Sequence, residues 1–133
     1  RVMSGGRPLI EDEEFLARVA CIEVELKALE ITQMRLIAEI GKRDDNKPDP
    51  KSSILKIKGS QLQQASAQLL MQVAGYSAME SDPEFLSGLH SDADGDEWAL
   101  TTAANHYWAR HVSIVGGSNE IQRNILAKTV LGL

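Results

Sequence analysis

The chain has 133 residues and a net charge of −5, with both signs interspersed and no basic block longer than Lys42-Arg43. That pattern excludes a nucleic-acid-binding surface. Hydrophobic residues make up 43% but aromatic ones only 5%, so aliphatic side chains and alanine carry the packing, which suits helix on helix better than a sheet sandwich. The single cysteine, Cys21, excludes an internal disulfide and every multi-cysteine metal motif, and no apolar run is long enough to span a membrane. A reduced cytoplasmic or organelle-matrix setting is the expectation.

Residues 1–10 are glycine-rich and read as a lead-in loop. From residue 12 to 40, Phe15, Val19, Ile22, Leu26, Leu29, Leu36 and Ile40 follow steps of four and three, with Gln33 filling the one gap, the seam of a long amphipathic helix. Asp12, Glu13 and Glu14 favour its first turn, Glu23 and Lys27 have supporting spacing, and Gly41 offers a stop. Cys21 reads as a small core or boundary residue of this helix. Residues 42–50 form a polar linker with two prolines.

A second helix is predicted over residues 52–73, with Leu55, Leu62, Ala65, Leu69 and Val73 as its buried stripe and Gly75 as terminator. Residues 76–97 read as a long acidic connection. A short helix over 98–111 follows, with Trp98 and Trp108 as packing anchors. A last helix runs from Asn119 to about Val130. No segment alternates as a strand would, so the predicted class is all-α, in one domain over 1–133. Four helices cover each other's apolar stripes only in part, so the bundle is expected to rely on a neighbour.

Few motifs carry chemistry. Asp92-Ala-Asp94-Gly95-Asp96-Glu97 misplaces the glycine and glutamate of a calcium loop and reads as a solvated acidic segment. His106 and His111 are five apart, off the spacing that aims two imidazoles at one metal, and His90 stands alone. No serine or cysteine has a nucleophile context. No metal site and no catalytic residue is assigned.

The informative segment is Ile114-Val-Gly-Gly-Ser-Asn-Glu-Ile-Gln-Arg-Asn-Ile-Leu-Ala-Lys-Thr-Val-Leu-Gly-Leu133. Gly116 and Gly117 permit backbone angles closed to other residues. Ser118 or Asn119 can cap the helix that follows, and Asn119 with Gln122 has capping-box spacing. The helix start offers N–H groups to an anion. The simpler mechanical reading is a glycine turn feeding a capped helix with no ligand.

Gly-Gly-Ser-Asn-Glu-Ile-Gln-Arg-Asn-Ile followed by Leu131-Gly132-Leu133 resembles the C-terminal signature of the acyl-CoA dehydrogenases, flavoproteins that oxidise the Cα–Cβ bond of acyl-CoA thioesters. Gly6-Arg7-Pro8-Leu9-Ile10, Ser53-Ile54-Leu55-Lys56 and Arg110 agree more loosely. Among subgroups the chain looks most like the large subunit of the pimeloyl-CoA dehydrogenase type. The resemblance implies an antiparallel helical bundle, the C-terminal domain of such an enzyme. With Arg1 rather than Met at its start, the chain reads as part of a longer protein, the bundle's first helix lying upstream.

FAD is the implied cofactor. The resemblance carries Ser118 and Glu120 to its adenosine end, Gly117 to the neighbourhood of the thioester substrate, and Gln72 and Gly75 to an FAD contact made across a subunit interface. The family's usual second glycine is Tyr76 here. Implied partners are an acyl-CoA, an electron-transfer flavoprotein, and either further copies or a second dehydrogenase subunit. In the best-known members the catalytic glutamate stands where this chain has Gly116; others carry it on a helix that would lie upstream. The competing expectation is a non-catalytic helical interaction module or subunit on the same scaffold. Arg123 reads as a surface or ion-pair residue.

Overall fold

The structure, a computed structural model, describes residues 3–4, 6–42, 49–79, 87 and 97–133. The chain is all-α, as expected. Its lead-in contains a minimal antiparallel pairing of β1 (Met3–Ser4) with β2 (Arg7–Pro8), then a 3-10 turn at Leu9–Glu11. Asp12 caps the first long helix, α1 (Glu13–Ile40), its carboxylate accepting from Phe15 N at 3.0 Å. Gly41 follows the helix with right-handed backbone angles, so α1 ends without a left-handed glycine.

The second long helix, α2 (Ser52–Ala74), starts behind a buried Asp49 whose Oδ1 accepts from Lys51 N at 2.9 Å. Gly75 ends it with φ +55 and ψ −131, a conformation essentially reserved for glycine. The expected irregular connection begins instead as a 3-10 turn at Gly75–Met79. The acidic residues 92–96 and His90 lie outside the described residues. The helix expected over 98–111 is divided into α3 (Glu97–Leu100), α4 (Thr102–Trp108) and a 3-10 turn at Ala109–Ser113. Helix α5 (Asn119–Leu126) continues as a π turn at Ala127–Leu131, closed by left-handed Gly132.

The hairpin of α1 and α2 is antiparallel. Lys51 pairs with Glu39 at 2.7 Å and Lys58 with Glu25 at 3.2 Å, while Phe15 and Val19 meet Leu69 and Val73 at the far end. The α1 face toward α2 comprises Phe15, Val19, Ile22, Glu25, Leu29, Thr32 and buried Leu36. Leu26, expected in this seam, is 56% exposed, while its neighbour Glu25 pairs with Lys58 at the edge of the seam. Ile40 is likewise exposed, as is Cys21. Lys27 bonds to Glu30 at 2.6 Å rather than to Glu23.

Helix α2 is the common partner. At about 100° per residue, Leu62, Leu69 and Val73 fall on one side of its wheel, and Ser53, Lys56, Ser60 and Gln64 on the other. The first set meets α1. The second meets the C-terminal segment, which runs antiparallel along it: Gln122 lies against Ser53, Asn119 against Lys56 and Ser60, and Ala109 against Gln64. Ala74, Ala78 and Ala99 close the far end against Met71. Small residues dominate the core, and the tryptophans do not serve as its anchors. Trp98 is 41% and Trp108 71% exposed, while the neighbouring Ala99 and Ala109 are buried.

Candidate functional site

The turn between the 3-10 segment and α5 is shaped by two glycines, with φ +69 at Gly116 and +92 at Gly117. Both values lie where a side chain strains the backbone. A Cβ on Gly117 would stand 2.7 Å from Gln122 Nε2, whereas one on Gly116 would meet nothing within 4 Å. The turn delivers the chain to Ser118, whose extended backbone and hydroxyl oxygen, accepting from Ile121 N at 3.4 Å, make it the N-cap of α5. Asn119 is therefore the first helical residue. The expected Asn119–Gln122 capping box does not form, because both side chains turn inward to α2.

That inward turn builds two polar clamps. In the first, Lys56 Nζ donates to Val112 O and to Asn119 Oδ1, each at 3.0 Å, and Asn119 Nδ2 donates to Ser60 Oγ at 3.0 Å. Ser60 sends its own proton to Ile57 O at 2.8 Å. Ser60 and Asn119 are buried and Lys56 half-buried. An ammonium can only donate, so it fixes which end of the Asn119 amide is oxygen. In the second clamp, Ser53 Oγ donates to Gln122 Oε1 at 2.7 Å, and Gln122 Nε2 reaches Gly116 O at 3.5 Å. One turn beyond Ser60 on α2, Gln64 Nε2 donates to Ala109 O at 3.2 Å and to Arg110 O at 3.4 Å.

These clamp residues escape a search for hydrophobic periodicity, which reads a polar stripe as a solvent face. The available signal is the spacing Ser53-x2-Lys56-x3-Ser60-x3-Gln64, set opposite an apolar stripe on one helix.

Outward, the helix start presents Ser118 and Glu120. The Glu120 carboxyl is held below the usual carboxylate range, first by its own backbone N–H and then by the Ser118 hydroxyl, with Arg123 and Lys56 adding favourable charge. Arg123 Nη1 stands 3.4 Å from Glu120 Oε1, on an exposed edge as expected. The positive end of α5 thus already carries a carboxylate. It suits groups that donate hydrogen bonds, such as ribose hydroxyls or an adenine amine, better than a second anion.

Gln72 and Gly75 are exposed at the other end of α2. Gln72 lies about 18 Å further along the axis than Ser60, at about 1.5 Å per residue. One chain therefore does not bring Gln72 and Gly75 together with Ser118, Glu120 and Gly117 around the same end of a ligand. Tyr76, beside Gly75, is 95% exposed. Open grooves of about 250 and 280 Å³ flank the α1–α2 seam, lined by Cys21, Gln61 and Ala65 on one side and by Phe15, Leu69 and Val73 on the other. Neither groove includes a residue of the glycine turn. Among the described residues no helix is long and apolar enough to cross a membrane.

A family model described as acyl-CoA dehydrogenase, C-terminal domain, matches residues 1–131. No curated protein and no solved structure matches the chain.

Proposed function

This chain belongs to the acyl-CoA dehydrogenase family, matched over nearly all its residues as the C-terminal domain, and from that premise we propose that it works within an FAD-dependent oxidation of an acyl-CoA thioester. When bound, FAD supplies the hydride acceptor for Cα–Cβ dehydrogenation, and an electron-transfer flavoprotein takes the electrons onward. The residues described here bind and orient. Ser118 and Glu120 receive the adenosine end at the start of α5, where Glu120 accepts hydrogen bonds and keeps the pyrophosphate at a distance. Gly117 lets the backbone approach the thioester with no side chain of its own, while the Gln122 amide fills the space its Cβ would take.

Gln72 and Gly75 contact FAD bound to a neighbouring subunit, a reading supported by their separation from Ser118 along α2. The assembly is therefore an oligomer of this chain or a heteromer with a second dehydrogenase subunit, as in the pimeloyl-CoA type. The bundle supplies packing and the subunit interface. The observation that carries the reading is the polar-clamped Gly-Gly-Ser turn in a chain matched to this family.

Proton removal from Cα needs a desolvated, positioned base, and Gly116 brings none to the turn. Gly116 favours a base supplied from outside residues 1–133, or a non-catalytic subunit as the second reading. A glutamate put there would have room but would strain a backbone at φ +69.

The test is to purify the full-length protein with whatever co-purifies, quantify bound flavin by absorbance, and add acyl-CoAs of graded chain length anaerobically. Stoichiometric FAD that bleaches on substrate addition is the expected result. Bound FAD without bleaching favours a non-catalytic subunit, and an absence of flavin binding sinks the FAD-dependent reading and leaves the non-catalytic helical interaction module.

A further inference from the structure

The first clamp has a feature that packing alone does not require. Val112 and Asn119 stand on either side of the glycine turn, yet both bond to one nitrogen, Lys56 Nζ, at 3.0 Å. A single ammonium, with its three donors, ties the entrance of the turn to its exit. Asn119 is also oriented from its other end by Ser60, so its Oδ1 is presented to the ammonium in one pose. The exposed neighbour Lys58 faces the opposite side of α2 and pairs with Glu25 of α1 at 3.2 Å.

We infer that Lys56 is a positioning residue for the cofactor: by joining Val112 and Asn119 across the turn it sets where the Ser118–Glu120 helix start stands, and so how tightly the adenosine end of FAD is held. This rests on the proposed contact of Ser118 and Glu120 with FAD. Lys56 itself touches no ligand. Its effect is exerted through Asn119, the residue that links the clamp to the helix start.

The experiment uses the full-length protein, stripped of flavin and titrated with FAD, with ADP as competitor for the adenosine end. The variants are Lys56→Met, Asn119→Ala, their combination, Ser118→Ala and the control Lys58→Met, each checked for helical content by circular dichroism. Lys56→Met and Asn119→Ala are each expected to weaken FAD and ADP binding about tenfold, the scale of a lost charge-assisted hydrogen bond. The double variant is expected to be no weaker than the worse single one, because both remove the same link. Lys58→Met should bind as wild type. Saturating FAD should bring turnover, or the flavin spectrum where turnover is absent, back to within about twofold of wild type, which general misfolding would not allow.

Wild-type affinity in Lys56→Met alongside weakened Ser118→Ala overturns the positioning role and leaves the FAD contact standing. Unchanged affinity in every variant, Ser118→Ala included, removes the FAD contact and the inference with it. Fully additive losses in the double variant also overturn the inference. Should Lys56→Met not accumulate folded, Lys56→Gln takes its place, since the shorter amide cannot span both acceptors, and wild-type affinity there overturns the positioning role in the same way.

Discussion

At Gly117 an added methyl group would meet the Gln122 amide at 2.7 Å on a backbone with φ +92. Gln122 is the flexible end of the second clamp, so the overlap is relieved by giving up its bonds to Ser53 and Gly116. Gly117→Ala is therefore expected to cost about 2–3 kcal/mol, adding a lost hydrogen bond to backbone strain. Gly116→Ala, with open space at its Cβ, should cost about 1–2 kcal/mol from strain alone. Urea denaturation of the two variants tests the difference, and equal losses would remove Gln122 from the account. Glu120 adds a pH signature. Its folded-state acidity is strengthened by hydrogen bonds from its own N–H and from Ser118, so its stabilising effect is present above its unfolded pKa and fades as pH falls through the folded one. The Tm advantage of wild type over Glu120→Gln should be small and should shrink on acidification through the carboxylate range. An advantage that grows in acid would reverse the assigned sign.

Single elements were legible where one physical signal dominated. The extents of α1 and α2 follow from apolar spacing, the Asp12 cap and the Gly75 stop, and the structure keeps them within about a residue or two. Where two residue types competed for one position, hydrophobicity alone chose wrongly. Leu26 had a suitable side chain for the seam, but the helix phase that turns Phe15, Val19, Ile22, Leu29 and Leu36 toward α2 leaves it exposed. Trp98 and Trp108 gave way to Ala99 and Ala109 because closely approaching helices leave room for methyl groups and not for indoles. Asn119 lost the capping role to Ser118 because its amide has buried partners on α2, a non-local fact that spacing does not contain. The phase can be measured. Leu62→Ala, on the buried face, should cost about 2–4 kcal/mol, and Leu26→Ala less than about 0.5. Comparable losses at both positions would put Leu26 back in the seam.

For the whole molecule, the far side of α1 is the conspicuous feature. Leu16, Val24, Ile31 and Met34 share a side of the helix turned away from α2, and each is at least 43% exposed. Leaving such a face in water forgoes its burial energy and invites association. The full-length protein is expected to sediment as an oligomer, and Val24→Glu with Ile31→Glu to shift it toward smaller species. An unchanged mass would mean that this face is not part of the subunit contact. Family membership was legible from the last twenty residues, but the support beneath that signature was not, since it comes from a polar stripe on a helix some sixty residues earlier.

Helix α2 touches α1 with one side and the C-terminal segment with the other, and this restricts how the chain can vary in length. Loops absorb insertions locally. One residue inserted after Ser60 would instead rotate everything beyond it by about 100°. The Ser53, Lys56 and Ser60 contacts would then remain in register while Gln64, Leu69 and Val73 left theirs. Helix α2 is thus a ruler of fixed length in this protein, and deletions or insertions among its relatives should fall outside it.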